Sequence, residues 1–387
     1  MPDLGPLLTP SRGELANLVC GLHADASPWL PSGLGNHLHW GAAITTGSAV
    51  LSLRRHNQLL QHKVGDFTVT VEAGMPLEQL QQQLAAAGQW LPLDPPLAGA
   101  TSIGGLVARG LSGRLRHRYM SLRDLLIGLQ LLRADGTQAK AGGQVVKNVA
   151  GYDLMRLFCG SWGSLGLITS VTLRTLPLPP CRLLLRLEGP LAQLQQLRQD
   201  LLLRSPLALE LLEWRQAADP AASSNNPWLE LGLVSLNSNA LNAQLEQLRQ
   251  LLPAAVRQQQ LEECSLIAPV VPPDQWLLRL GVTPARIDQL LAQKLCNGWQ
   301  LRLGAASGLG LAQAAFEATP AHRVEALRRS CEALGGYLTV LQAPSQSSVA
   351  AWGDAPARPL IEAVKRQFDP LQQLARGRLP GVAASNH

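Results

Sequence analysis

Gln144 to Thr169, QVVKNVAGYDLMRLFCGSWGSLGLIT, sets four glycines (Gly151, Gly160, Gly163 and Gly166) among the polar residues Lys147, Asn148, Tyr152 and Asp153, and closes on an apolar run of β type. Glycines this dense mark backbone lying against a ligand or another strand. Lys147 stands out because Lys63, Lys140, Lys294 and Lys365 are the only other lysines. Two readings of it stay open: an ammonium facing a bound group, or an ion pair with Asp153 or another carboxylate.

Outward from this stretch, Leu165 to Leu176 reads as a long strand that stops at Pro177-Leu178-Pro179-Pro180, the best domain boundary in the chain. Upstream, Leu125 to Arg133 reads as a strand entering the turn Ala134-Asp135-Gly136, a hairpin signal. Trp90 to Gly113 is a second glycine-rich segment. Its Thr101, Ser102, Gly104 and Gly105, followed by Gly110, Ser112 and Gly113, offer hydroxyls and bare N–H groups that suit phosphate oxygens, or else a set of structural turns. Phe67 to Ala73, FTVTVEA, alternates as a strand, and Pro76 opens a helix with Leu77, Leu80 and Leu84 on one face. Trp29 to Gly41, WLPSGLGNHLHWG, reads as a loop whose Gly33 and Gly35 lack the third glycine of a dinucleotide fingerprint. Its N–H groups either face a pyrophosphate or make a tight turn. Ser11 and Glu14 form a capping-box pattern for a helix over residues 10–20.

Composition bounds the rest. A chain of 387 residues with 46% hydrophobic content exceeds the roughly 250–300 residues at which single cores stop growing, which predicts two domains. The formal net charge is +6, but the arginines are scattered with few aromatics among them, so a ligand-facing or solvated basic surface is expected rather than a nucleic-acid interface. The six cysteines are widely spaced without a CxxC pair and read as buried thiols of a reducing compartment. No leader or membrane-span pattern is seen, and a cytoplasmic protein is expected.

TSIGG, the Ala-Asp-Gly hairpin, the opening stretch and the TLRTLPLP exit, in this order, resemble the FAD-binding (PCMH-type) domain of the vanillyl-alcohol oxidase family. The string Lys147 to Asp153 is especially similar to the FAD-binding subunits of bacterial glycolate oxidases (glycolate dehydrogenases). The resemblance implies an α+β fold: residues 1–180 an FAD-binding domain, 181–342 an α+β cap, and 343–387 a loop and helix returning toward the FAD domain. It implies noncovalent FAD held by Gly33, Gly35 and Asn36; by Thr101, Ser102, Ile103, Gly104, Gly105, Gly110, Ser112 and Gly113; by Lys147, Asn148, Gly151, Tyr152 and Asp153; and by Gly163, Gly166, Leu167 and Ile168. Some relatives attach FAD through a histidine near His37, but the match there is poor. In relatives an Asp-Pro pair precedes an Asn-Pro-Gly-Arg ending; here Asp369-Pro370 is followed by Leu374, Ala375, Arg376, Gly377 and Arg378, without the Asn-Pro pair.

From 181 on, the pattern of strands and helices reads as two βαββαβ units, a ferredoxin-like pseudo-repeat. The cap offers only His322, with His387 beyond it, and no paired histidines at ligand spacing. Arg279, Arg302 and Arg323 are its candidate carboxylate binders, and no catalytic residue is assigned beyond Lys147. The resemblance therefore implies a subunit that works with a larger FAD-containing catalytic subunit and an iron–sulfur subunit in oxidising glycolate to glyoxylate. A stand-alone FAD-dependent 2-hydroxy-acid oxidoreductase and a non-catalytic assembly subunit with a degenerate flavin site are the alternatives.

Overall fold

A computed structural model describes residues 4–96, 98–143, 152–218, 226–261, 271–345 and 347–383. The chain divides into two units: Met1–Ser112, Met120–Leu178 and Ala350–His387 form the first, and Gly113–Tyr119 with Pro179–Val349 the second.

In the first unit β1 (Leu7–Leu8), α1 (Arg12–Ala24), β2 (Trp29–Ser32) and β3 (Ala49–Ser52) come first. The three strands pair in parallel in the order β1-β3-β2. The capping box at Ser11 and Glu14 is present, and the helix it starts runs four residues past the expected end. The head of the expected Trp29–Gly41 loop is strand: Trp29 and Leu30 are buried, and β-pairing to Ala49 and Val50 outweighs the Pro31 turn signal.

Then follow β4 (Leu59–Lys63), β5 (Thr68–Glu72), α2 (Leu77–Ala85), β6 (Gln89–Trp90), α3 (Ile103–Arg109), α4 (Leu122–Leu125), β7 (Leu126–Leu132), β8 (Gln138–Gly142), α5 (Met155–Phe158), β9 (Leu167–Arg174) and β10 (Leu176–Pro177). Five of these strands make an antiparallel sheet in the order β4-β5-β9-β7-β8. β9 is central and therefore almost continuously buried. Leu77, Leu80 and Leu84 of α2 are all at most 1% exposed, each contributing about 1.5–3 kcal/mol of burial. Pro76 is the residue before the first turn, not within it.

The glycine-rich segment 90–113 does not stay in turns. Ser102 caps α3, its Oγ accepting from the Gly105 N–H at 3.2 Å, and Gly110 ends the helix in the left-handed conformation. Ile103, Leu106 and Val107 are fully buried, and that apolar spacing overrides the low helix propensity of Gly104 and Gly105.

The second unit holds β11 (Cys181–Glu188), α6 (Leu191–Leu203), β12 (Leu209–Gln216), β13 (Trp228–Ser235), α7 (Ser238–Leu251), β14 (Arg257–Leu261), β15 (Gln275–Gly281), α8 (Ile287–Leu291), β16 (Gln300–Gly304), β17 (Leu309–Ala315), α9 (Ala321–Ala333) and β18 (Tyr337–Gln342). Its single antiparallel sheet runs β14-β11-β13-β12-β16-β17-β15-β18. Counted within each half, the order is fourth, first, third, second strand, and the halves meet at β12 and β16. The first helix of the second half is short: α8 is flanked by two 3₁₀ turns, Pro284–Arg286 and Lys294–Cys296.

One face of this sheet packs against the helices through Leu212, Trp214, Leu231, Trp276, Leu301 and their neighbours. The opposite positions of β12 and β13 are charged. Glu213 and Glu230 are 5% and 4% exposed, and Arg215 lies 3.1 Å from Glu213. Residues 113–119 join this face: Arg114 pairs with Glu230, and the Tyr119 hydroxyl donates to Glu210 at 2.8 Å. A phenol against a carboxylate in a half-buried place is pushed up to about 12, by burial first and then by Glu210.

The chain returns to the first unit with α10 (Arg358–Phe368). Despite the absent Asn-Pro pair, the following residues dock: Leu374 bridges Trp29 in parallel, with the Trp29 N–H donating to Gln373 O at 3.0 Å and the Ala375 N–H to Trp29 O at 2.9 Å. Of the cysteines described, Cys296 and Cys331 are buried, Cys159 and Cys181 partly so, and Cys20 is exposed. Cys264 lies outside the described residues. The expectation of uniformly buried thiols is thus corrected: Cys20 is exposed on α1, its Sγ 3.6 Å from Asp135 O. Among the described residues no helix is long and apolar enough to cross a membrane.

Candidate functional site

The cleft of the first unit is built around the loop that follows β2. The Leu53 N–H bonds Ser32 O at 2.8 Å and ends the pairing of β2 with β3. Beyond it the loop's carbonyls are turned back to the protein: Ser52 Oγ donates to Gly33 O at 3.0 Å and Arg54 Nη2 to Leu34 O at 2.8 Å. Asn36 Nδ2 donates to Ala100 O at 3.0 Å. The five consecutive N–H groups of Gly33 to His37 find no acceptor among the described residues. A run of free N–H groups is a concavity for anionic oxygens.

α3 forms the facing wall through Ser102, Gly104, Gly105, Ala108 and Arg109. The approach is close. A Cβ on Gly33 would lie 1.9 Å from Ser102 Oγ and 2.8 Å from Ser102 Cβ, and one on Gly104 would lie 2.6 Å from Ala73 Cβ. The first N–H groups of α3 are not bare. That of Ile103 goes to Met75 O at 2.9 Å, that of Gly104 to Ala73 O at 2.7 Å, and that of Gly105 to Ser102 Oγ. The free donors expected at TSIGG lie instead in the Gly33–His37 loop. Leu167 and Ile168, at the start of β9, are 1% and 6% exposed and with Leu53 and Ala73 give the cleft an apolar side.

The cationic side of the cleft is made by Arg109 and Arg378, with His37 beside them. Arg109 lies with its guanidinium 5.1 Å from the Trp40 ring, and its Nε donates to Gly105 O at 3.1 Å. Arg378 lies 5.6 Å from the Trp162 ring and donates from Nη2 to Trp40 O. Trp162 is itself left-handed, with φ 55°, and its N–H reaches Ala108 O at 2.7 Å. Burial brings Arg109 down to about 10, with repulsion from Arg378 adding to it, and burial alone brings Arg378 to about 10. Both stay charged at neutral pH. Burial, then Arg109 and His39, push His37 down to about 3, so its imidazole is neutral.

Four buried polar atoms on this cleft have no hydrogen-bond partner among the described residues: Ser32 Oγ, His37 Nε2, Arg109 Nη1 and Arg378 Nε. Buried polar atoms in folded proteins are paired as a rule, and buried cations still more so. The donor set therefore fits a group with anionic oxygens and a flat apolar part.

Of the residues assigned from sequence, Gly33, Gly35, Asn36, Ser102, Gly104, Gly105, Gly163, Gly166, Leu167 and Ile168 come together here. Thr101 takes the Leu77 N–H on its carbonyl, Ile103 is core, Gly110 caps α3, and Ser112 Oγ accepts the Leu122 N–H. Gly113 belongs to the second unit. Tyr152 is 88% exposed and Asp153 pairs with Arg156 at 3.0 Å. Lys147, Asn148 and Gly151 lie outside the described residues. Sequence reasoning missed Ser32, Arg109, Trp162 and Arg378. Only Arg378 carried a signal, as the basic end of the altered C-terminal motif.

The family model described as FAD binding domain matches residues 8–142. The chain is 36% identical over 166 residues to glycolate oxidase subunit GlcE of Escherichia coli (strain K12), covering 43% of this chain and 47% of that subunit. It is 37% identical over 173 residues to D-2-hydroxyglutarate dehydrogenase of Xanthomonas citri pv. viticola, 44% and 37% of the two chains. To glycolate oxidase subunit GlcD of Bacillus subtilis (strain 168) it is 32% identical over 180 residues, 46% and 38%. The chain thus spans less than half the length of each of these relatives. Among solved structures, alkyldihydroxyacetonephosphate synthase superposes with a TM-score of 0.68 at 16% identity, covering 95% of this chain and 75% of that one. The matched residues, the shared α+β fold and the donor set of the cleft agree, and the chain carries an FAD-binding domain at its head.

Proposed function

We propose that this protein is an FAD-dependent oxidoreductase of 2-hydroxy acids, working as the FAD-binding subunit of a cytoplasmic glycolate dehydrogenase assembly with a larger flavin subunit and an iron–sulfur subunit. The observation that carries the flavin reading is the convergence on one cleft of five unbonded N–H groups and four unpartnered buried polar atoms. The relatives named glycolate oxidase subunits support the substrate class and assembly with other subunits.

In this reading the Gly33–His37 loop, with Ser102, Gly104 and Gly105 opposite, holds the cofactor by backbone donors and close approach, while Leu167 and Ile168 exclude water from its apolar part. The bound flavin supplies a two-electron acceptor that no protein side chain provides. In this reading the half-buried, neutral His37 serves as a hydrogen-bonding group through Nε2.

The test is the visible absorption spectrum of the purified chain before and after denaturation and filtration. Flavin bands whose chromophore passes the filter support a noncovalent flavoprotein. A colourless chain that takes up no added FAD sinks the reading in favour of an assembly subunit. Turnover of glycolate by the isolated chain with an artificial acceptor would favour the stand-alone enzyme.

A further inference from the structure

We propose that Arg109 and Arg378 are the two counter-charges of the FAD diphosphate, so that the C-terminal segment of the chain completes the cofactor site. The proposal rests on the flavin reading above. Arg109 and Arg378 are 8% and 4% exposed, and no carboxylate of the described residues pairs with either. Each has a tryptophan face against its guanidinium, Trp40 for Arg109 and Trp162 for Arg378, and each keeps a buried nitrogen, Nη1 of Arg109 or Nε of Arg378, without a partner among the described residues.

Two like charges in one dry cleft repel and are costly to bury. A dianion removes both penalties at once, whereas a single carboxylate leaves one charge uncompensated. The oxidised cofactor has one dianionic part, its diphosphate. Planar guanidinium forks match phosphate oxygens bidentately, and the free N–H run of Gly33 to His37 on the same cleft supplies the remaining donors. Neutral His37 adds no third charge.

The full chain is purified as wild type and as Arg109→Gln, Arg378→Gln, Arg109→Lys and Arg378→Lys, and stripped of flavin. Dissociation constants are measured for FAD, for riboflavin, which lacks phosphate, and for inorganic pyrophosphate. The expected result is an at least tenfold weaker FAD affinity in each Gln variant, loss of pyrophosphate binding, unchanged riboflavin affinity, and partial recovery in the Lys variants. Equal losses for FAD and riboflavin would mean that the arginines only shape the cleft and would overturn the proposal. So would unaltered FAD affinity in variants that fold. Should the Gln variants not fold, pyrophosphate must still displace FAD from the wild type and bind more weakly to the Lys variants; failure of either overturns it. A wild type that retains FAD while the variants bind equally leaves the flavin reading standing and removes this one. A wild type that takes up no FAD removes both.

Discussion

Lys365 and Asp369 meet 2.5 Å apart across one turn at the end of α10, with 6% and 0% of their side chains exposed. The ammonium also donates to Ser164 O at 2.8 Å and Leu374 O at 2.9 Å, and the carboxylate accepts the N–H groups of Gln373 and Leu374. Every proton of the lysine is therefore used, and one ion pair ties the glycine turn before β9 to the segment that carries Arg378. Burial draws Lys365 below its ordinary value and Asp369 draws it back, with burial the larger.

Removing one partner strands the other. Lys365→Met leaves a fully buried carboxylate without its cation, and the first unit is expected to lose about 3–5 kcal/mol in urea unfolding. Adding Asp369→Asn to that variant should recover part of the loss. No recovery would show that the lysine acts only through the two carbonyls.

The contact between Gly33 and Ser102 leaves no room for a methyl group. Gly33→Ala is expected to cost about 1–3 kcal/mol as overpacking and to weaken FAD retention, because the loop must move away from α3. Gly33→Ala with Ser102→Gly should regain both, since that change removes Cβ and Oγ together and costs the helix cap only a few tenths of a kcal/mol. Retention of FAD by the single variant, at wild-type stability, would contradict the packing.

His37 sets a pH window. Its folded value, about 3, lies below the roughly 6.5 of an unfolded histidine, so the unfolded chain binds the proton more readily. The stability this contributes is fully present above pH 6.5 and falls as the pH drops toward 3. In urea titrations of the flavin-free protein, His37→Asn should decline less steeply over that interval than the wild type. Parallel curves would mean that the imidazole is not held neutral.

Arg114 and Glu230 pair in the second unit with side chains 11% and 6% exposed. A double-mutant cycle of Arg114→Met and Glu230→Gln should return a coupling of about 0.5–3 kcal/mol. A coupling of zero would mean that Tyr119 and Leu115, not Arg114, hold residues 113–119 in place.

Sequence carried the local part of this architecture. FTVTVEA, the Ala-Asp-Gly hairpin and the strand–helix order of the second unit follow from periodicity and turn chemistry over a few residues, and they appear as β5, β7–β8 and β11–β18. TSIGG was harder. Its glycines suggest a turn, yet the buried side chains of Ile103, Leu106 and Val107 draw it into α3, and its N–H groups turn to Met75 and Ala73. The cationic half of the cleft was barely legible, with Arg378 marked only as the basic end of an altered motif. Arg109 and Arg378 are two arginines among many until Trp40 and Trp162 come to lie beside them, and only a contact across 338 positions, Arg378 to Trp40, brings the second into place.

The rung from Gln373–Ala375 to Trp29 has a consequence for how the molecule is made. As the chain leaves the ribosome, β2 is exposed at one edge from the moment it appears until more than three hundred further residues have been added, and with it the loop at Gly33. Any release or cleavage in that interval yields a product with a bare strand edge and no Arg378, open to pairing with another molecule. If Arg378 holds the cofactor as proposed, capture waits for the end of synthesis, and truncated chains should accumulate as aggregates rather than as colourless soluble protein.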